Sequence, residues 1–154
     1  MKKRIGMIFG YGVVSLAVIA FDRISKWYAI HTWQLPQQIN QFLSFELMYN
    51  RGISWGLFHS ASNCLFTTVS FIIAAVTIAV AVLAIQKFKT GEWIGGEVLV
   101  VAGSISNIID RVMFGGVVDF IHLSYGHWSW PLFNVADMVI VAGVALMVWE
   151  QYRS

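Results

Sequence analysis

Residues 5–21 and 65–85 each run without a single charged side chain. Each approaches the roughly 20 apolar residues that a helix needs to cross about 30 Å of hydrocarbon. Two later stretches reach that length only by accepting charge. Residues 94–111 include Glu97 near one end and Asp110-Arg111 at the other, and residues 134–150 include Asp137. Between the first two runs the pattern changes: Leu43, Phe45, Leu47 and Tyr49 alternate with Ser44, Glu46, Met48 and Asn50. Period-two alternation marks a half-buried strand. Arg51-Gly52 then reads as a turn, and 53–58 as a possible second short strand. The pattern predicts an all-α membrane protein forming one domain over 1–154. Its four transmembrane helices lie at about 5–21, 65–85, 94–111 and 134–150, and its external segments at about 22–64 and 112–133. A small extracytoplasmic β-sheet or saddle follows the first helix. The first run follows Lys2-Lys3-Arg4 and resembles a signal peptide. However, Ala17-Val18-Ile19-Ala20 runs directly into Phe21-Asp22 and more apolar spans follow, so a retained anchor is expected.

Composition excludes the alternatives to a membrane protein. Of 154 residues, 58% are hydrophobic and 12% charged, against about 25% charged in an ordinary soluble domain. The charged side chains cannot cover a soluble globule, and the hydrophobicity is too high for disorder. A net charge of +2 with no long basic run gives no reason to expect nucleic acid as a partner. Cys64 is the single cysteine, so an internal disulfide and a multi-cysteine metal site are excluded. It is expected to pack inertly at the start of a span.

Four spans place both termini on one side. Lys2, Lys3, Arg4, Lys87, Lys89 and Arg153 then share a face, opposite Arg23, Lys26, Arg51 and Arg111. The excess makes the terminal face cytoplasmic by the positive-inside rule. Trp27, Trp93, Trp128, Trp130 and Trp149 fall near predicted span ends, where amphipathic rings favour the interface.

This topology gathers polar residues at the external ends of the spans: Asp22, Arg23, Lys26, Asn50, Arg51, Asn107, Asp110, Arg111, Asp119, Asn134 and Asp137. Ionisable groups at membrane depth are costly and point to function. Asn107 and Arg111 share a helix face, as do Asn134 and Asp137. Local structural roles compete with this reading. Asn134 could cap a helix with Asp137 in its first turn. Asp22 and Lys26 could form an interfacial i,i+4 pair, and Asp110-Arg111 a cap with a snorkelling arginine. Asp119 has no partner among its neighbours Val117, Val118, Phe120 and Ile121 and must find one elsewhere. The four histidines lack metal-ligand spacing, and no serine or cysteine sits in a nucleophile motif. Two carboxyl groups sharing a site cannot easily both ionise, so one serves as base and the other keeps a proton to polarise a carbonyl. That is the logic of an aspartic peptidase.

Five local motifs, in order along four spans, resemble those of the lipoprotein signal peptidase (signal peptidase II) family. They are Asp22-Arg-Ile-Ser-Lys26, Asn50-Arg-Gly52-Ile-Ser-Trp-Gly56, Asn107-Ile-Ile-Asp110-Arg111, Val117-Val-Asp119-Phe120 and Phe133-Asn134-Val-Ala136-Asp137. The resemblance implies that Asp119 and Asp137 form a catalytic dyad. It implies supporting or substrate-binding roles for Asp22, Lys26, Asn50, Gly52, Asn107, Arg111, Asn134 and Ala136. It further implies no metal or cofactor, a diacylglyceryl prolipoprotein substrate cleaved before its lipidated cysteine, contact with membrane lipid and inhibition by globomycin-like cyclic peptides. A monomer in a bacterial inner membrane is expected. Ser54-Trp55 stands where the family commonly has Ala-Phe and bears on the substrate groove. Gly103-Ser-Ile-Ser106 replaces a glycine-richer run and bears on helix packing. The competing reading is a small transporter or assembly factor using its buried acids as a proton relay. A relay would tolerate Asp→Glu, whereas a peptidase needs both carboxylates at fixed separation.

Overall fold

The structure is a computed structural model that describes residues 2–52 and 63–153, with side chains from Arg4 onward. The expected second strand at 53–58 and Ser54-Trp55 lie outside the described residues. The element order is α1 (Lys2–Thr32), β1 (Gln37–Gln38), β2 (Leu43–Asn50), α2 (Asn63–Thr90), α3 (Gly95–Phe114), β3 (Val117–Tyr125), β4 (Trp128–Ser129) and α4 (Val135–Arg153).

Three of the helices, α1, α2 and α4, are long and apolar enough to cross a membrane. Their surfaces present large apolar side chains, including Phe9, Leu16, Phe71, Ile78 and Val141. All five tryptophans expected at span ends are exposed. The fourth helix, α3, has the opposite character. Apart from Val100, its buried positions are small or polar: Gly96, Glu97, Ala102, Gly103, Ser106, Asn107, Asp110 and Arg111. It packs against α1, α2 and α4, so those three apolar helices shield its polar stripe.

Contact between α3 and α4 runs through small residues. A Cβ on Gly103 would sit 2.8 Å from the Ala136 carbonyl oxygen, and one on Gly143 2.7 Å from that of Gly96. Such close backbone approach is how helices associate where no hydrophobic drive operates between them.

At one end of the bundle, the Lys87 ammonium donates to Glu97 (2.7 Å) and Glu150 (3.0 Å). This ties together the end of α2, the start of α3 and the end of α4. Arg4 donates to the Lys89 carbonyl at the same end, so both chain termini lie there.

The other end carries an antiparallel sheet in the order β1-β2-β3-β4. The alternating segment forms β2 as expected, but the sheet also draws on the segment between α3 and α4. Pairs include Leu43↔Leu123, Met48↔Asp119 and Asn50↔Val117, with an irregularity between Phe45 and Met48. There the Leu47 N–H donates to the Trp33 carbonyl, 3.0 Å away and just beyond α1. Trp33 stacks on Phe45 at 4.2 Å and also touches Phe120, which locks the sheet onto the end of α1. Helix α3 stops at Gly115, whose φ of 66° is left-handed and suits glycine.

Candidate active site

Asp119 lies where β3 is buried on both faces, from Val117 to Phe120. Asp137 lies in the first turn of α4. Backbone hydrogen bonds between Phe133 and Ile121 (2.9 and 3.1 Å) clamp the approach to α4 against β3, which brings Asn134 beside Asp119.

Asn134 then does two things at once. Its Oδ1 accepts the Asp137 N–H at 2.9 Å, while Asp137 Oδ2 accepts the Asn134 N–H at 3.2 Å. This reciprocal arrangement is a capping box. Its Nδ2 meanwhile donates to Asp119 Oδ1 at 2.7 Å and to Asn107 Oδ1 at 3.2 Å. The helix cap expected for Asn134 is therefore present, and the same residue links the two carboxylates. Asn107 Nδ2 donates to Asp137 Oδ1 at 2.8 Å. Asn50 Nδ2 donates to Asp119 Oδ2 at 2.9 Å, and its own Oδ1 accepts the Gly52 N–H.

Both carboxylates, with Asn50, Gly52, Asn107 and Arg111, line a cavity of about 290 Å³. Asp119 is 2% exposed. Burial first, and the nearby Asp137 charge second, push its pKa up from 3.8 to about 7, against the opposing hydrogen bonds of Asn50 and Asn134 and the charge of Lys26. A carboxyl group tuned to neutral pH can exist in both protonation states there.

Beneath the dyad lies a second polar layer. Lys26 Nζ donates to Asp22 Oδ2, Asp110 Oδ2 and Asn107 Oδ1, each at 2.7 Å. Asp22 also accepts from Ser106 Oγ (2.6 Å) and the Ala136 N–H (2.8 Å). Asp110 accepts from Arg23 and from the Val118 N–H at 3.1 Å. Asp22, Lys26 and Asp110 are almost fully buried. They form an interior knot joining α1, α3, β3 and α4, in place of the interfacial pair and snorkelling cap that local spacing allowed. Arg111 donates to the Gly52 carbonyl (2.6 Å) and to Ser70 Oγ (3.3 Å), and lies over the Phe66 ring. It thereby fixes the turn that carries Asn50.

The structure thus brings together all ten residues that the family resemblance singled out. Ala136 takes part through its backbone, donating its N–H to Asp22 and holding its carbonyl against Gly103. Sequence reasoning missed Ser106 as a partner of Asp22. Its signal was the departure from a glycine-richer run, because a hydroxyl on a buried helix face needs an acceptor. Cys64 is exposed, not packed, and His122 bridges Ser44 (3.2 Å) and Ser129 (2.7 Å) in the sheet.

The family model for signal peptidase (SPase) II matches residues 14–153. The chain belongs to the signal peptidase II family. It is 32% identical over 148 residues to the lipoprotein signal peptidase of Polynucleobacter necessarius subsp. necessarius (strain STIR1), a match covering 93% of this chain and 89% of the relative. It is 37% identical over 147 residues to that of Anaplasma phagocytophilum (strain HZ), covering 92% of each. Among solved structures it is similar to a bacterial membrane enzyme determined by the in meso method at 2.3 Å. That match has a TM-score of 0.76 and 25% identity, covering 95% of this chain and 89% of the other. Membership in the signal peptidase II family makes the chain a multi-pass bacterial membrane protease of the kind that removes signal peptides from prolipoproteins.

Proposed function

We propose that this signal peptidase II family member is an aspartic endopeptidase acting on diacylglyceryl-modified prolipoproteins, cutting before the lipidated cysteine. The observation that carries the reading is that Asp119 and Asp137 line one cavity and are linked by Asn134. The pair holds one proton near neutral pH. The ionised member draws a proton from water, which attacks the scissile carbonyl carbon, while the protonated member donates to the carbonyl oxygen. As the tetrahedral intermediate collapses, the C–N bond breaks and a proton passes to the leaving amine. Titration belongs to the pair, not to either residue alone.

Asn50, Asn107 and Asn134 position the carboxylates. Gly52 and Arg111 shape the mouth that receives the peptide, and Asp22, Lys26 and Ala136 hold α1 and α4 in register beneath it. A lipid anchor beside the scissile bond holds that bond at interface depth, since each buried methylene contributes about 0.8 kcal/mol. The termini face the cytoplasm and the dyad the opposite side. The enzyme works as a single-domain monomer, and its cavity also receives cyclic peptides of the globomycin type.

The test uses initial cleavage rates on a diacylglyceryl prolipoprotein in nanodiscs. Asp119→Asn and Asp137→Asn should each lower turnover by about a thousandfold, within the range that general acid–base groups supply. The double variant should be little worse, because the two act as a unit. A well-folded Asp137→Asn enzyme with near-normal turnover would return Asp137 to a purely structural role as a cap.

A further inference from the structure

A crevice of about 800 Å³ runs between α2 and α4 along the surface of α3, with walls that include Val76, Leu83, Val100 and Val144. At one end Ser104 and Ile140 belong both to this crevice and to the cavity containing Asp119 and Asp137, so the two spaces adjoin. At the other end lie Lys87, Glu92, Glu97 and Glu150. Glu97 is fully buried. Its Oε1 accepts from Lys87, which Glu150 also shares, while its Oε2 has no hydrogen-bond partner. Among the described residues, Lys87 is the one cation within 4.0 Å of either carboxylate. Two carboxylates share one ammonium at this end of the crevice, with a buried oxygen unsatisfied. An unpaired buried carboxylate oxygen is costly. A second cation reaching that oxygen would satisfy it.

Distance identifies what could bring it. Asn107, beside the dyad, lies ten positions beyond Glu97 on α3, about 15 Å along the helix axis. Glu150 lies thirteen positions beyond Asp137 on α4, about 20 Å. An apolar helix of about 10–13 residues therefore spans from the dyad to the acidic end. A signal peptide has a basic segment followed by an apolar stretch of about 7–15 residues before its cleavage site. Apolar walls, length and terminal charge all match.

We propose that Glu97 and Glu150 form a recognition site for the basic N-terminal side chains of the signal peptide, whose apolar stretch lies in the α2–α4 crevice with its scissile bond at the dyad. This rests on the peptidase reading above and adds a specificity determinant remote from the chemistry. Because the contact is made before and during the reaction alike, it contributes to KM and leaves kcat alone.

The experiment pairs two diacylglyceryl prolipoproteins, one with its natural Lys/Arg N-terminal segment and one with those residues changed to Gln, in zwitterionic nanodiscs. With the unaltered enzyme, the neutral substrate should have a KM about tenfold higher, the scale of one charge-assisted hydrogen bond, with kcat unchanged. In Glu97→Gln and in Glu150→Gln the ratio of the two KM values should fall toward one. Equal KM values for both substrates on the unaltered enzyme would overturn the inference while leaving the peptidase reading intact. So would an unchanged ratio in both variants, which would confine the two glutamates to holding Lys87. If Glu97→Gln does not fold, the unaltered enzyme and Glu150→Gln still decide the matter. Failure of the unaltered enzyme to cleave either substrate would defeat the peptidase reading and this inference with it.

Discussion

Asp119 shows how one side chain couples stability to pH. The folded protein holds a proton on this group up to about pH 7, whereas an unfolded chain releases it near pH 4. Between those values the folded state binds more protons, so stability falls as pH rises. Over about three units this amounts to about 4 kcal/mol. Thermal melts of wild type and Asp119→Asn from pH 4 to 8 should therefore diverge: wild type loses Tm with rising pH more steeply than the variant. Parallel curves would show that burial of Asp119 does not hold its proton. Lys26 presents the converse case, an ammonium whose three donors meet three oxygens on two helices. Lys26→Met leaves Asp22 and Asp110 buried with that charge gone, and breaking such a pair costs about 3–5 kcal/mol. Lys26→Arg should not rescue the melt, because a planar guanidinium cannot replace a compact ammonium there.

Among the elements, the α3–α4 crossing fixes the distance between Asn107 and Asp137. A methyl on Gly103 would press on the Ala136 carbonyl at 2.8 Å, and overpacking of this kind typically costs about 1–3 kcal/mol. Gly103→Ala should lower both Tm and turnover, while Gly10→Ala, with nothing within 4 Å of the added carbon, should lower neither. Because alanine favours a helix over glycine, unchanged or raised Tm at Gly103→Ala would show that approach distance does not govern. The same elements show where sequence was readable. Strand β2 could be seen because its faces differ. Strand β3 could not, since Val117 to Phe120 are buried on both sides and a continuous apolar run carries no period. Helix α1 was expected to end near residue 21, where charge begins, yet it continues to Thr32 because Asp22 and Lys26 are satisfied by α3 and α4, not by water. The dyad residues stood out by chemistry and motif. The knot beneath them joins residues as far apart as Asp22 and Ala136, and no local spacing displays such pairings.

Across the whole molecule, the apolar and polar requirements are divided among the helices. Helices α1, α2 and α4 meet the membrane-crossing standard of length and hydropathy, and α3 does not, although α3 supplies Asn107, Asp110, Arg111 and Glu97 to the interior. This division has a consequence for biogenesis. A helix enters the bilayer from the translocation machinery according to its own side chains; an Asp or Arg opposes entry by about 2.5–3.5 kcal/mol at the centre and by less toward the ends, and α3 carries three charges, Glu97, Asp110 and Arg111. Helix α2 should partition by itself, whereas α3 should require a neighbour already in place or arriving with it. In an insertion assay with glycosylation reporters, an isolated α2 segment should insert, an isolated α3 segment should largely pass through, and a segment spanning α3 to α4 should restore insertion of α3. Efficient entry of α3 alone would contradict this. The polar residues that α3 carries into the interior thus also set an order of assembly: this helix is a guest in the membrane, admitted by its neighbours.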